Sequence, residues 1–434
     1  MSSVPDILIL TSLSPKEQAG MLYSPNLAAK AQEYSRHEGQ MWSAFLETES
    51  GELLEEHEAR RLADYYHLKT ALKLQSNPRD PLLWTERFNQ AGQEIYGDIN
   101  PAEVQSIAAQ ELRLLGGVDA VGSMAVEAYQ RLAGGGGEVT ASKEAQVDFG
   151  EFRQALFGEF AVVVDTIEAL EEGQFEAPAV RACFQTIIDK LAEEEPEWLN
   201  WTITNPDGKT MLAVVALNKE IEIPDGRGPV GSKQELLGLA LHELGVHATR
   251  AVNGQKTGDS MMEKNGLPNY IDFEEGLGVF FEYMTTGKIP EKARDRYIDI
   301  ALATGLLGGY RLSREELIEL GISRQQARAM AAGQDIVAVA DEKAVITHVN
   351  RIFRGGNGLP IRDDNGDIID QAVFNKDQVY YQGFVKAQGF IQGQLQAGFS
   401  PKRVIDFLLA GKFDATNPRH VAYVAEKHQL ALTT

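Results

Sequence analysis

Apolar residues recur every three to four positions through most of this chain, the spacing that turns one side of a helix towards a core. Leu62, Tyr65, Tyr66 and Leu72 predict a helix closed by Asn77-Pro78, and Leu82, Leu83, Trp84 and Phe88 predict the next, from about Pro81. Asn100-Pro101 starts a third, with Asn as cap and Pro at the first helical position. Phe152, Leu156, Phe160 and Val163 predict a helix ending near Glu168 to Glu172. Val180 to Leu191 predicts another, and its charged end, Glu193-Glu194-Glu195-Pro196, reads as solvated. The run Gly134 to Gly137, with the polar residues up to Asp148, reads as a long exposed loop. It lacks the preceding strand and the following Lys-Ser/Thr of a phosphate-binding loop.

The pattern changes after Trp201. Trp201 to Thr204, the turn Asn205-Pro-Asp-Gly208 and the run Met211 to Ile223 predict a hairpin of two strands. Alternation in Glu220-Ile221-Glu222-Ile223 gives one buried and one wet face, and an edge strand there could hold an extended peptide by strand addition. Further helices are expected near residues 378–396 and 401–411, while Ile336 to Ala340 is apolar but of uncertain type. There is no internal repeat. The expected class is α+β, predominantly helical with a small antiparallel sheet.

Composition narrows the partners. The chain has 434 residues, 43% hydrophobic and 24% charged, which excludes disordered and fibrous architectures. Lys plus Arg number 41 against 63 Asp plus Glu, so the net charge is −22. Such a balance repels nucleic-acid phosphates and anionic membranes, and no local basic patch offsets it. No apolar run approaches the ~18 residues a membrane span needs. Cys183 is the single cysteine, so no intramolecular disulfide forms and any metal must be held by His and carboxylates. With no basic leader before Ile7 to Leu10, a cytoplasmic location is expected.

The chemistry concentrates in residues 232–254, SKQELLGLALHELGVHATRAVNG. Ser232 and Glu235 match a capping box, and Asn253-Gly254 supplies a helix stop. Inside lies His242-Glu243-Leu244-Gly245-Val246-His247, an H-E-x-x-x-H arrangement one residue longer than the zinc-peptidase H-E-x-x-H. On a regular helix an i, i+5 pair diverges by about 140°, so both imidazoles face one ion only if the helix widens into a π turn. Gly245 lowers the steric resistance to that. The bland alternative is two helix histidines on different faces. A second segment, Tyr270 to Tyr283, opens with Asp272 as a cap and Glu275 as the return arm of a capping box, while Glu274 reads as a solvated first-turn acid. Alternatively, Glu274 or Glu275 is a third ligand completing a His2Glu site with an open position for water.

Together these segments resemble the tyrosine carboxypeptidase family that includes the microtubule-associated tyrosine carboxypeptidases and bacterial proteins named for a QEGLA motif. The matching residues are His242-Glu243-Leu-Gly-Val-His247-Ala-Thr-Arg250-Ala-Val-Asn253-Gly254 and Glu274-Glu275-Gly276-Leu277-Gly278. Tyr96-Gly97, Arg351-Ile-Phe-Arg354-Gly355-Gly356 and Lys376-Asp377-Gln-Val-Tyr380-Tyr-Gln-Gly383 match as well. The resemblance implies a zincin-like fold, with one zinc ion held by His242, His247 and Glu275 and Glu243 as the catalytic base. Two positions depart from the motif: Glu274 stands for Gln, so the choice of Glu275 over Glu274 rests on motif alignment, and Gly278 stands for Ala, a small-for-small exchange expected to be tolerated sterically.

An exopeptidase also needs a cation for the terminal carboxylate of its substrate, and guanidinium suits this because it binds both oxygens. Arg351 and Arg354 are the candidates, with Lys376 in the neighbouring motif. Arg250 is a further one, or instead orients a ligand carboxylate or braces the fold. Tyr380 is a possible phenolic donor to the oxyanion, and His348 reads as structural or surface. The domain expectation is an extension over residues 1–60, rich in Pro and acid, before a carboxypeptidase domain over 61–434. That domain has a helical half to about 195, a metal site in 198–290 and substrate-binding segments in 345–395. The expected reaction is zinc-dependent release of an aromatic C-terminal residue, such as Tyr, from a peptide or protein. The charge argues against microtubule binding, because an acidic polymer would repel this chain. The alternatives are a zinc aminopeptidase or dipeptidyl peptidase, since the dipeptidyl-peptidase III type shares the longer spacing, and a non-catalytic regulatory protein with a structural metal site.

Overall fold

The computed structural model describes residues 81–114, 123–133, 148–209, 212–259, 261–267, 269–306, 309, 311–333, 341–353 and 360–429. The expected N-terminal extension, the helix near 60–74, most of the Gly134 to Asp148 loop, Ile336 to Ala340 and Arg354 lie outside them. In chain order the helices are α1 (Pro81–Tyr96), α2 (Pro101–Leu114), α3 (Ser123–Leu132), α4 (Gly150–Glu159), α5 (Ala161–Glu168) and α6 (Ala177–Glu194). Strands β1 (Thr202–Thr204), β2 (Ala213–Val215) and β3 (Glu220–Glu222) follow, then α7 (Lys233–Ala240), a π-helical stretch Leu241–Ala248, α8 (Thr249–Lys256) and α9 (Ile271–Thr286). Next are α10 (Glu291–Thr304), α11 (Arg314–Ala331), α12 (Glu342–Phe353), β4 (Ile361–Arg362), β5 (Ile368–Asp370), α13 (Val379–Gln396), α14 (Pro401–Leu408) and α15 (Pro418–His428). None of the described helices is long and apolar enough to cross a membrane.

The chain divides into two compact units, one drawn from 1–143 and 292–378, the other from 144–291 and 379–434. In the first, Asn100 caps α2 by accepting from the Ala102 N–H at 3.0 Å, the role its place before Pro101 predicts. Arg324 and Arg328 reach down from α11 to Asp295 and Asp299 on α10, and His348 of α12 bonds Asp299 at 2.9 Å. His348 is therefore a structural histidine. Burial alone would push the Asp295 carboxyl up, but the two guanidinium groups outweigh it and hold it well below the usual carboxylate range.

The second unit holds the motif segments. The predicted helix through Phe160 is two helices, because the backbone turns at Phe160 (φ −105°, ψ 35°) between α4 and α5, yet Phe152, Leu156, Phe160 and Val163 are all buried. Cys183 is buried in α6, as its apolar neighbours suggest, and burial pushes its thiol up to about 11. The hairpin expectation needs correction. The described part of the run Met211 to Ile223, residues 212–223, is not one strand: it folds back at residues 216–219, where Lys219 takes a positive φ of 55°, giving an antiparallel pair of β2 and β3. β1 then pairs parallel to β3 on its other side, so the order is β1-β3-β2 and the sheet is mixed rather than antiparallel. Glu220 to Ile223 is consequently the central strand with no free edge, and β2 is the edge strand that packs near the π-helical stretch.

Asn253-Gly254 does not end its helix either. α8 continues to Lys256, and Gly254 is needed for close approach, since a Cβ there would lie 2.1 Å from the Met262 carbonyl oxygen. The tightest contact in the unit is the crossing of α9 and α13. A Cβ on Gly276 would lie 1.8 Å from the Gly383 carbonyl carbon, and one on Gly383 would lie 2.0 Å from the Asp272 carbonyl oxygen. Both obstacles are backbone and neither helix can yield locally. Gly276→Ala should therefore lower stability by about 3 kcal/mol or more, read as a fall in melting temperature, whereas Gly389→Ala on the same α13, where a Cβ meets nothing within 4 Å, should not.

Candidate metal centre

Ser232 starts the helix that carries the first motif by accepting from the Glu235 N–H at 3.1 Å, while the Glu235 carboxylate accepts from Gly231 at 3.0 Å instead of closing the box on Ser232. After α7 the chain widens into the π-helical stretch Leu241–Ala248, which spans the whole H-E-x-x-x-H motif. With hydrogen bonds closing over five residues, positions i and i+5 share a face, and the rings of His242 and His247 stand 5.0 Å apart. Thr249 closes the wide turn twice over, donating its backbone N–H and, at 2.8 Å, its hydroxyl to the Leu244 carbonyl. Gly245 backs onto the Phe160 ring, where a Cβ would make an ordinary 3.4 Å contact, so space alone does not demand glycine there.

Helix α9 supplies the facing carboxylates. It begins at Ile271 with Tyr270 in the cap position, so Asp272 and Glu275 lie inside the helix and the expected capping box does not form. Glu275 Oε2 lies 3.6 Å from His242 Nε2 and 3.7 Å from His247 Nε2. Potential ligand atoms of His242, His247 and Glu275 all fall within 4.8 Å of one another, a cluster that could hold a metal ion.

Each imidazole is fixed from behind. His242 Nδ1 lies 2.5 Å from Glu282 Oε1, and His247 Nδ1 lies 2.8 Å from Glu274 Oε1. An ionised carboxylate only accepts, so each Nδ1 donates to the acid behind it and each Nε2 is the ring nitrogen turned towards Glu275. This is the carboxylate–histidine arrangement that orients ligands in metal sites. Glu274 is not the solvated acid the first-turn position suggested. It is 2% exposed, and besides His247 its carboxylate accepts from Arg250 Nη1 and Lys412 Nζ, both at 2.8 Å. Burial would raise its pKa, but these two cations outweigh burial and hold it well below the ordinary value. Of the three roles expected for Arg250, the geometry supports bracing: it is fully buried, bonded to Glu274 and to the Phe413 carbonyl, and lies over the Phe413 ring.

The electrostatics of the cluster call for positive charge. Burial by itself would lower the pKa of His242, yet the carboxylates of Glu275 and Glu282 raise it well above its usual range. Glu243 sits between the histidines in sequence, partly exposed, and burial raises its carboxyl above the ordinary value. The donor set of two imidazoles and one carboxylate, with each ring held through Nδ1 and turned inward through Nε2, fits a divalent metal with an open coordination position.

The other expected site residues fall elsewhere. Arg351 already grips an internal carboxylate in the first unit, with Nε and Nη2 at 2.6 and 3.0 Å from the two oxygens of the buried Asp377. Lys376 is half-buried in a short 3-10 turn of that unit. Tyr380 stands half-buried in the first turn of α13, one helical turn before Gly383 and hence on the face that meets α9. Glu282 was missed by sequence reasoning, although its position seven residues after Glu275 places it two turns further along the same helix face. Gly278 also proves more constrained than a small-for-small exchange implies: a Cβ there would lie 2.6 Å from His242 Nε2.

Residues 168–296 match the family model described as microtubule-associated tyrosine carboxypeptidase. The resemblance read from the motifs holds over that stretch, which contains the π-helical turn and all of α9, and it points to a carboxypeptidase. Comparison with curated proteins and with solved structures gives no match.

Two substitutions test the geometry. Glu282→Ala should weaken metal binding by about 10- to 100-fold in a chelator competition, with little change in melting temperature; unaltered affinity would show that His242 is oriented by something else. Gly278→Ala should displace the His242 ring and weaken metal binding in the same assay, and a crystal structure of that variant with the ring unmoved would contradict the contact.

Proposed function

We propose that the chain is a zinc-dependent carboxypeptidase that hydrolyses the C-terminal peptide bond of a peptide or protein and releases an aromatic residue such as Tyr. The observation that carries this reading is the convergence of His242 Nε2, His247 Nε2 and Glu275 Oε2 beside the Glu243 carboxylate. In this reading Glu275 is the third ligand, and Glu274 and Glu282 hold the two imidazoles. Zinc, when bound, supplies Lewis acidity for the scissile carbonyl and lowers the pKa of the attacking water towards ~7. Glu243 does the proton work. Its raised affinity for a proton suits it to take one from the water and hand it to the leaving amine. A purely structural site would need no base beside its ligands, which favours an enzyme over a regulatory relic.

Recognition is supported by the sheet as well. β2 is the edge strand near the π-helical stretch and has backbone groups to offer an extended substrate, the part first expected of Glu220 to Ile223. Tyr380 remains the proposed phenolic donor. The −22 charge argues that the substrate is not an acidic polymer such as the microtubule.

The test combines metal content with C-terminal residue release from a peptide library by wild type and Glu243→Gln. Both proteins should carry close to one zinc per chain, and the variant should release residues at least about 100-fold more slowly. Zinc-free wild type, or equal release by the variant, would refute the reading. Cleavage that survives C-terminal amidation but not N-terminal acetylation would identify an aminopeptidase instead.

A further inference from the structure

A carboxypeptidase must discriminate a terminal carboxylate from an internal amide, and the cations first expected to do so are engaged or remote in sequence from the metal helix. Arg250 and Lys412 are both spent on Glu274. Arg351 is forked onto Asp377. Arg227, in the turn that follows β3, stands differently.

That turn is held firmly. The Arg227 N–H donates to the Pro224 carbonyl at 3.2 Å. The adjacent Asp225 is clasped by Arg181 at 2.5 Å and by Asn205 at 2.8 Å, while Arg181 also donates to the Ile223 carbonyl at 2.7 Å. The Arg227 side chain projects from this fixed base into a half-buried position. Its Nη1 is fully buried, yet has no hydrogen-bond partner among the described residues. An unsatisfied buried guanidinium nitrogen costs free energy of about 1–3 kcal/mol or more, so its persistence asks for a partner that arrives from outside the fold. Arg227 and the Glu243 carboxylate lie within electrostatic reach of each other. A cation within electrostatic reach of the base, with one nitrogen of its fork unused, matches what the end of a substrate chain would require.

We infer that Arg227 is the substrate-binding residue that receives the terminal carboxylate of the peptide, with its unpartnered Nη1 as one donor. The inference rests on the carboxypeptidase reading and deepens it. Arg227 fixes how far the chain end can advance, so it sets the bond that Glu243 serves as the last one. It is a specificity device and takes no proton.

The experiment uses the zinc-loaded full chain, as wild type, Arg227→Gln and Arg227→Lys, on two peptides that differ only in ending as a C-terminal carboxylate or carboxamide. Zinc content and melting temperature are measured on each. Wild type should strongly prefer the carboxylate. Arg227→Gln should lose roughly 10- to 100-fold in kcat/KM on the carboxylate peptide, chiefly through KM, with the slow carboxamide rate unchanged, and Arg227→Lys should recover part of the loss. Equal losses on both peptides would overturn the inference, because they would place Arg227 at the oxyanion or in the fold; so would no loss on either. Should Arg227→Gln melt early or lose zinc, calorimetric binding of N-acetyl-tyrosine against its amide by wild type and Arg227→Lys decides. A weakened preference for the acid in Arg227→Lys supports the assignment and an unchanged one refutes it. Wild type that carries zinc and releases nothing from either peptide would instead refute the carboxypeptidase reading itself.

Discussion

Two imidazoles five residues apart can face one point only where a helix widens, and most of the second unit serves to hold that widened turn. Helix α7 leads into it with a Ser232 cap, and Thr249 satisfies the carbonyl of Leu244 with both its N–H and its hydroxyl. The price of a π turn is poorer packing and hydrogen bonding than an α-helix provides. What offsets it here is the facing helix α9, whose acids pin each ring by its outer nitrogen. The inner nitrogens are thereby left with nothing to do but meet Glu275, and the candidate centre is assembled from two elements that cross once.

Adjacent acids on one helix take opposite tasks because they project to different sides of it. Glu274 turns into a dry region where a carboxylate is tolerable only with paired charge, and Arg250 and Lys412 provide it. Glu275 turns to the histidines. The family motif has glutamine at the first of these positions, and the ionised acid in this chain carries a full negative charge between two cations and the back of His247. The arrangement gives the imidazole a stronger acceptor than an amide would.

The approach of α9 to its neighbours depends on residues without side chains. Gly276 and Gly383 bring the backbones of α9 and α13 into direct contact, and Gly278 leaves room for the His242 ring. Two glycines on one helix, Gly276 and Gly278, thus set the depth of the centre: a methyl group at either would push away the supporting helix or the His242 ring. The motif glycines are a packing requirement of the site as much as a part of its chemistry.

The sequence by itself determined the helical character of the chain, the cap at Ser232, the buried role of Cys183 and the need for a π turn in the motif, because each follows from periodicity or from geometry within a few residues. It also carried the motif resemblance, and with it the expectation that His242, His247 and Glu275 come together, as they do. Only the tertiary structure decided that Glu220 to Ile223 is a central strand, that Gly254 serves close packing rather than helix termination, and that Glu274 is buried against two cations. The same holds for Glu282 behind His242 and for the unpartnered guanidinium nitrogen of Arg227. These depend on what approaches from elsewhere in the chain: a strand's edge, a carboxylate's solvation and a guanidinium's missing partner are properties of neighbours, and neighbours distant in sequence leave no mark on local spacing.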